Sequence, residues 1–130
     1  MGIDMRKLAV AALILGLIAA GWVTEGYALG HMSREMVEHL DKVTIDLEAE
    51  NFESAAVHMD EFIDSWQKCE GWVTMLVPHE EVDEISRNAA KMKTFAASGG
   101  KDDALYTVSD TKELLKEIHR KTHVNLMNIF

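Results

Sequence analysis

The densest run of residues able to do acid–base or cation chemistry is His79-Glu80-Glu81-Val82-Asp83. On a helix, His79 and Asp83 lie one turn apart on one face, so an imidazole and a carboxylate can meet there. Acid–base catalysis needs a pocket as well as a pair. A hydrogen-bonded pair that orients the start of a helix is therefore the preferred reading. Glu80, Glu81 and Glu84 add carboxylates nearby. Calcium wants six or more oxygens from several segments, and no EF-hand loop is present. His119 and His123 form a second pair, four residues apart, which also share a helix face. A zinc site takes three or four ligands, and no carboxylate accompanies this pair at the same spacing. Satisfied or exposed histidines are expected there.

Other chemistry is sparse. The histidines and the methionines Met32, Met36, Met59, Met75, Met92 and Met127 raise copper or haem as ligands. Most of these methionines fall on helical apolar stripes, where flexible gap filling is the usual role. No C-x-x-C-H, G-x-S-x-G, H-E-x-x-H, P-loop or dinucleotide fingerprint occurs. The sequence predicts no metal, no cofactor and no catalytic set. The single cysteine, Cys69, sits on an apolar stripe and reads as a small core hydrophobe. Trp66 and Trp72, with His79 and Asp83, are the candidates for an interaction surface if they line a cleft.

These residues need elements to hold them, and the first element is an address. Leu8 to Val23 is a sixteen-residue run without charge, preceded by Arg6 and Lys7. As a helix it spans ~24 Å, and extension to Leu29 brings it to the thickness of a hydrocarbon core. Trp22 and Tyr27 suit the interfacial belt, and Arg6 and Lys7 favour a cytoplasmic N-terminus. An uncleaved signal anchor over residues 1–30 is the expectation, with contact to the membrane through residues 8–29. Ala28-Leu29-Gly30 offers a small-x-small site for the competing reading, a signal peptide cleaved after Gly30.

Residues 31–130 make one domain. It has one proline, Pro78, and lacks alternating strand-like runs, so it reads as all-α. Four helices are expected. The first runs from about Ser33 to Glu50, with Met32, Met36, Leu40, Val43 and Leu47 as its stripe. It continues from the anchor, with Gly26 and Gly30 as the weak points. The second, from Phe52 to Val77, carries Phe52, Ala55, Met59, Phe62, Trp66, Cys69, Val73 and Leu76. The third starts at Pro78 and ends at Ser98-Gly99-Gly100, burying Val82, Ile85, Ala89, Met92 and Ala96. The fourth starts with Asp102 as N-cap and frays near His119. Its stripe is Leu105, Val108, Thr111 or Lys112, Leu115 and Ile118. The apolar tail from Val124 to Phe130 is expected to dock on the helices. The segments 50–55 and 99–104 echo each other at two helix-to-helix turns. The architecture is thus an antiparallel four-helix bundle or two stacked helical hairpins.

Charge is uneven along the body. Residues 31–84 hold fifteen Asp and Glu against three Lys and Arg, a net −12. Residues 85–130 hold eight Lys and Arg against five acids, a net +3. The two halves are expected to attract each other within the fold; the alternative is an acidic face offered to a basic partner or to cations. Nucleic acid is excluded as a ligand because its footprint is basic.

The order of features resembles a known family. The anchor is followed by Asn51-Phe52-Glu53-Ser54-Ala55, Trp66, His79-Glu80-Glu81-Val82-Asp83-Glu84-Ile85, an Asp103-Ala104 turn, Leu114-Leu115 with Ile118-His119, and the terminal Asn128-Ile129-Phe130. This is similar to domain-of-unknown-function family 4363, small bacterial proteins found mainly in Firmicutes. The resemblance implies a membrane-anchored, helical, extracytoplasmic domain. It implies no activity and transfers no catalytic residues. The expectation is a non-catalytic, membrane-tethered helical accessory module with a protein partner at the membrane or envelope. The alternative is an extracytoplasmic ligand or metal-ion sensor using His79, Asp83 and neighbouring acids.

Overall fold

The computed structural model describes residue 2 and residues 4–129, with side chains outside 25, 26 and 122–129. Four helices follow in chain order: α1 (Met5–Glu48), α2 (Phe52–Val73), α3 (His79–Ala97) and α4 (Lys101–Ile129). There is no strand among the described residues. α1 packs on α2 and α4, and α3 packs on the same two helices, which closes an antiparallel ring.

α1 is the dominant element. Asp4 caps it, its side chain accepting from the Arg6 N–H at 3.1 Å. The helix then runs unbroken for 44 residues, about 66 Å at 1.5 Å per residue. The expected weak points at Gly26 and Gly30 do not interrupt it. Its first part stands clear of the bundle: Leu8, Leu13, Leu15, Leu17 and Val23 are exposed. Leu29 is the first fully buried side chain among the described residues. From there Met36, Leu40, Val43 and Leu47 enter the core. Gly30 is where α4 comes closest. A Cβ placed there would stand 2.8 Å from His119 Nε2, inside contact distance.

The remaining helices follow the periodic stripes, with differences at their ends. Ala55, Met59, Phe62, Trp66, Cys69 and Val73 line the buried face of α2. Asn51 caps this helix by accepting from the Ser54 N–H. α2 ends at Val73, not Val77, because residues 74–77 leave the helix ahead of Pro78, which disfavours helix in the residue before it. Pro78 is the N-cap of α3, and Glu80 and Glu81 load its first turn where the dipole favours negative charge. α4 starts at Lys101, so Asp102 lies inside the first turn and is not the cap. Nor does α4 fray at His119: its backbone is helical through Ile129. The expected docking of the Val124–Phe130 side chains lies outside the described residues.

Side-chain bonds fix the register between neighbours. His58 Nδ1 is 2.6 Å from Asp46 Oδ2 between α2 and α1. Trp66 Nε1 donates to Ser86 Oγ at 2.9 Å between α2 and α3. Asn88 Nδ2 donates to Asp110 Oδ2 at 2.8 Å between α3 and α4. Buried Ser33 donates to the Leu115 carbonyl at 3.1 Å between α1 and α4. The expected attraction between the two halves of the body is visible as well. Lys93 pairs with Asp60, Lys101 with Glu50, Lys112 with Asp41, and Lys121 with Glu81, each a later lysine on an earlier acid. These pairs are partly or largely exposed, so each stabilises little, and their role is to favour one antiparallel arrangement.

Candidate functional site

The bundle has two unlike ends. At the far end, away from the apolar run of α1, lie the α1–α2 and α3–α4 turns, and they share one geometry. Asn51 N–H bonds the Asp46 carbonyl and Glu50 N–H bonds the Leu47 carbonyl. Gly100 N–H bonds the Phe95 carbonyl and Gly99 N–H bonds the Ala96 carbonyl, the same pattern 49 residues later. Both are Schellman caps, with φ of 58° at Glu50 and 74° at Gly99. The sequence echo between 50–55 and 99–104 is therefore an echo of two helix stops.

The near end, where the apolar run emerges, gathers most of the residues singled out by sequence. Gly30 on α1 lies against His119 on α4. Lys121, half a turn further, pairs with Glu81 on α3. α2 runs toward this end, so Trp72 and the turn at 74–77 belong to it too. His79, Asp83 and His119 are thus brought to one end of the molecule. They are not brought into one site. His79 and Asp83 are both exposed and no hydrogen bond joins them, so the expected helix-orienting pair does not form. Among the described residues no three His, Cys, Asp or Glu side chains gather to hold a metal ion. The side chain of His123 lies outside the described residues.

Trp66 and Trp72 take different places. Trp66 is buried, and its indole N–H is satisfied by Ser86, which in turn donates to Glu70 Oε1 at 3.1 Å. It closes the core at the α2–α3 seam and also lines a surface cavity there with Gln67, Glu70, Ser86 and Lys93. Trp72 is half-buried and packs on the core from the near end. Cys69, one turn from Trp66, is buried, and burial pushes its thiol up to about 11. That environment suits the core role expected for it and keeps the thiol protonated.

Sequence reasoning missed one polar cluster. Asp46 Oδ2 accepts from Ser54 Oγ at 2.9 Å and stands 2.6 Å from His58 Nδ1. The bond from the His58 imidazole holds the Asp46 carboxyl below its ordinary value; partial burial opposes this and the Ser54 hydroxyl adds to it. The residue types are those of a serine-hydrolase triad, but the order is wrong for it. The carboxylate sits between the other two, so the Ser54 hydroxyl donates to Asp46 and the imidazole is not its acceptor. The cluster pins α2 to α1. Its only sequence signal was an Asp and a His on opposite sides of a tight turn. His39 and Glu61 face each other lower on the same seam at 3.7 Å.

The fold and these sites define a small antiparallel four-helix bundle built on one long helix, of which the first part is apolar and long enough to cross a membrane. Residues 24–129 match the family described as Domain of unknown function (DUF4363), and the chain belongs to that family. No curated protein and no solved structure matches it.

Proposed function

We propose that this chain is a non-enzymatic, membrane-tethered interaction module, with α1 as a retained single-pass anchor and the bundle on the extracytoplasmic side. The observation that carries the reading is the continuity of α1. One helix passes from exposed Leu8–Val23 into the core at Leu29 without a break, so span and body form a single rod. Arg6 and Lys7 sit at the N-terminal mouth of the run, as the positive-inside rule asks of a cytoplasmic end. Retention is favoured over cleavage after Gly30 because cleavage would remove Leu29, a fully buried core residue. The non-enzymatic part is supported by the dispersal of His79, Asp83 and Trp66 and by the triad-like cluster, in which the imidazole meets Asp46 and not the Ser54 hydroxyl. The module would present the acidic α1–α2 hairpin to a membrane or envelope protein.

The test is fractionation of cells producing the full chain with Ser98→Cys at the far turn. The chain is expected to stay in the membrane pellet after alkaline carbonate. The thiol introduced at position 98 is expected to react with an impermeant maleimide in intact cells. Release by carbonate, or labelling only after lysis, would contradict the anchor or its orientation. Crosslinking in intact membranes that captures no partner would remove the interaction role.

A further inference from the structure

Every helix connection in this bundle except one is polar. The far turns read Ala49-Glu50-Asn51 and Ser98-Gly99-Gly100. The near turn sits in Trp72-Val73-Thr74-Met75-Leu76-Val77-Pro78, seven residues without a charge. Val73 and Val77 are buried, and Leu76 and Trp72 are half-buried against the core. Met75 projects outward, 85% exposed, the most exposed large apolar side chain on the bundle. Tyr27 on α1, 73% exposed, stands at the same end, just ahead of the first buried turn.

Exposed apolar residues elsewhere on the body have different surroundings. Ile45 is one helical turn from Asp41 and Glu48, Val57 from Glu53 and Asp60, and Tyr106 from Asp102 and Asp110. Scattered residues of that kind are ordinary surface. The near turn is a contiguous apolar stretch at the end of the bundle where the apolar run emerges, with α4 continuing past that level beyond His119.

We propose that this near end is a lipid-contacting surface: Met75 and Trp72 of the α2–α3 turn, with Tyr27 of α1, enter the interfacial zone of the bilayer that α1 crosses. The inference rests on the anchor reading above and goes beyond it. The bilayer is chosen as occupant because the rod of α1 fixes the near end at the boundary of the apolar run. An aromatic ring and a flexible thioether are suited to that half-wet layer. Apolar burial rather than charge sets the contact: Arg120 and Lys121 at this end are paired with Glu117 and Glu81, and the exposed Glu80 and Asp83 leave the end net acidic. The consequence is mechanical. A bundle held at two points, the span and the turn, stands upright instead of swinging, and presents its far turns at a fixed height and rotation.

The test uses the full chain in vesicles of phosphatidylcholine with phosphatidylglycerol. An environment-sensitive fluorophore is attached at Met75→Cys, at Ser98→Cys, or at Leu15→Cys. Native Cys69 is buried and unreactive, and the unsubstituted chain serves as blank. Nitroxide-bearing lipids should quench the labels at positions 15 and 75 several-fold more than the label at 98. Quenching at 15 with positions 75 and 98 alike would overturn the lipid-contacting turn and leave the anchor standing. No quenching at 15 would overturn both. Shielding of position 75 that disappears on dilution with excess lipid would assign the turn to a second copy of the chain, and the proposal would fall.

Discussion

His58 on α2 holds its Nδ1 2.6 Å from Oδ2 of Asp46 on α1, twelve residues back across the three-residue α1–α2 turn. A carboxylate can only accept, so the imidazole carries its proton on Nδ1 when Asp46 is charged. Ser54 donates to the same oxygen at 2.9 Å. Two donors on one half-buried carboxylate make this the main polar tie between the helix that carries the apolar run and the rest of the bundle. Asp46 and His58 show side-chain exposures of 17% and 26%, so water only partly screens them.

The tie should be visible in the pH dependence of stability. The Asp46 carboxyl is held below its ordinary value of 3.8. A group depressed in the folded state stabilises above its unfolded pKa, and that contribution is lost as pH falls through the folded value. Unfolding in detergent micelles should find Asp46→Asn less stable than the parent at neutral pH, with the gap shrinking below pH 3.8. A gap that stays constant into strong acid would show that the carboxylate charge is not what matters.

Trp66 is both the largest core side chain and a hydrogen-bond donor. Trp66→Phe keeps most of the apolar burial but leaves Ser86 without its indole partner, an expected loss of about 1–2 kcal/mol. Trp66→Ala opens a cavity and should cost about 3–5 kcal/mol. Trp72→Phe at its half-buried site should cost under about 1 kcal/mol. Chemical denaturation of the three variants checks the order. Equal losses at 66 and 72 would contradict the burial difference between them.

Glu50 occupies the left-handed position of its Schellman cap with φ of 58°, where the partner turn uses Gly99 at 74°. A non-glycine residue there costs roughly 1–2 kcal/mol in backbone strain. The Glu50 ion pair with Lys101, at 3.7 Å and largely exposed, offsets little of that. Glu50→Gly should therefore raise stability by about 0.5–1 kcal/mol, while Gly99→Ala should lower it by about 1 kcal/mol or more. Thermal unfolding midpoints moving in opposite directions is the expected result.

Much of this molecule was legible before folding. The helical stripes of α2 and α3 named nearly every core residue, because a three-to-four spacing leaves only one face to bury. The apolar run and its Arg6-Lys7 flank were plain from composition. Other features were not. Asn88 lies on the buried face of α3 and is accommodated only because Asp110 of α4 accepts its amide proton. On the α4 stripe, Thr111 is fully buried while Lys112 reaches out to Asp41. Met75 lies off the apolar stripe of the second helix, and it stands exposed in a turn because α2 stops at Val73 ahead of the proline.

The sequence by itself determined the elements, their buried faces and the apolar helix, since these depend on local spacing and on chain chemistry near each residue. It also separated an acidic first half from a basic second half. The tertiary structure decided what those elements do together. It placed His79, Asp83 and His119 at one end without joining them, and tied Asp46 to Ser54 and His58. It also placed the uncharged α2–α3 turn at the end of the bundle where the apolar run emerges. The reason is physical: pairings between helices depend on register and rotation, which are set by the whole packed core, and no stretch of sequence carries them alone.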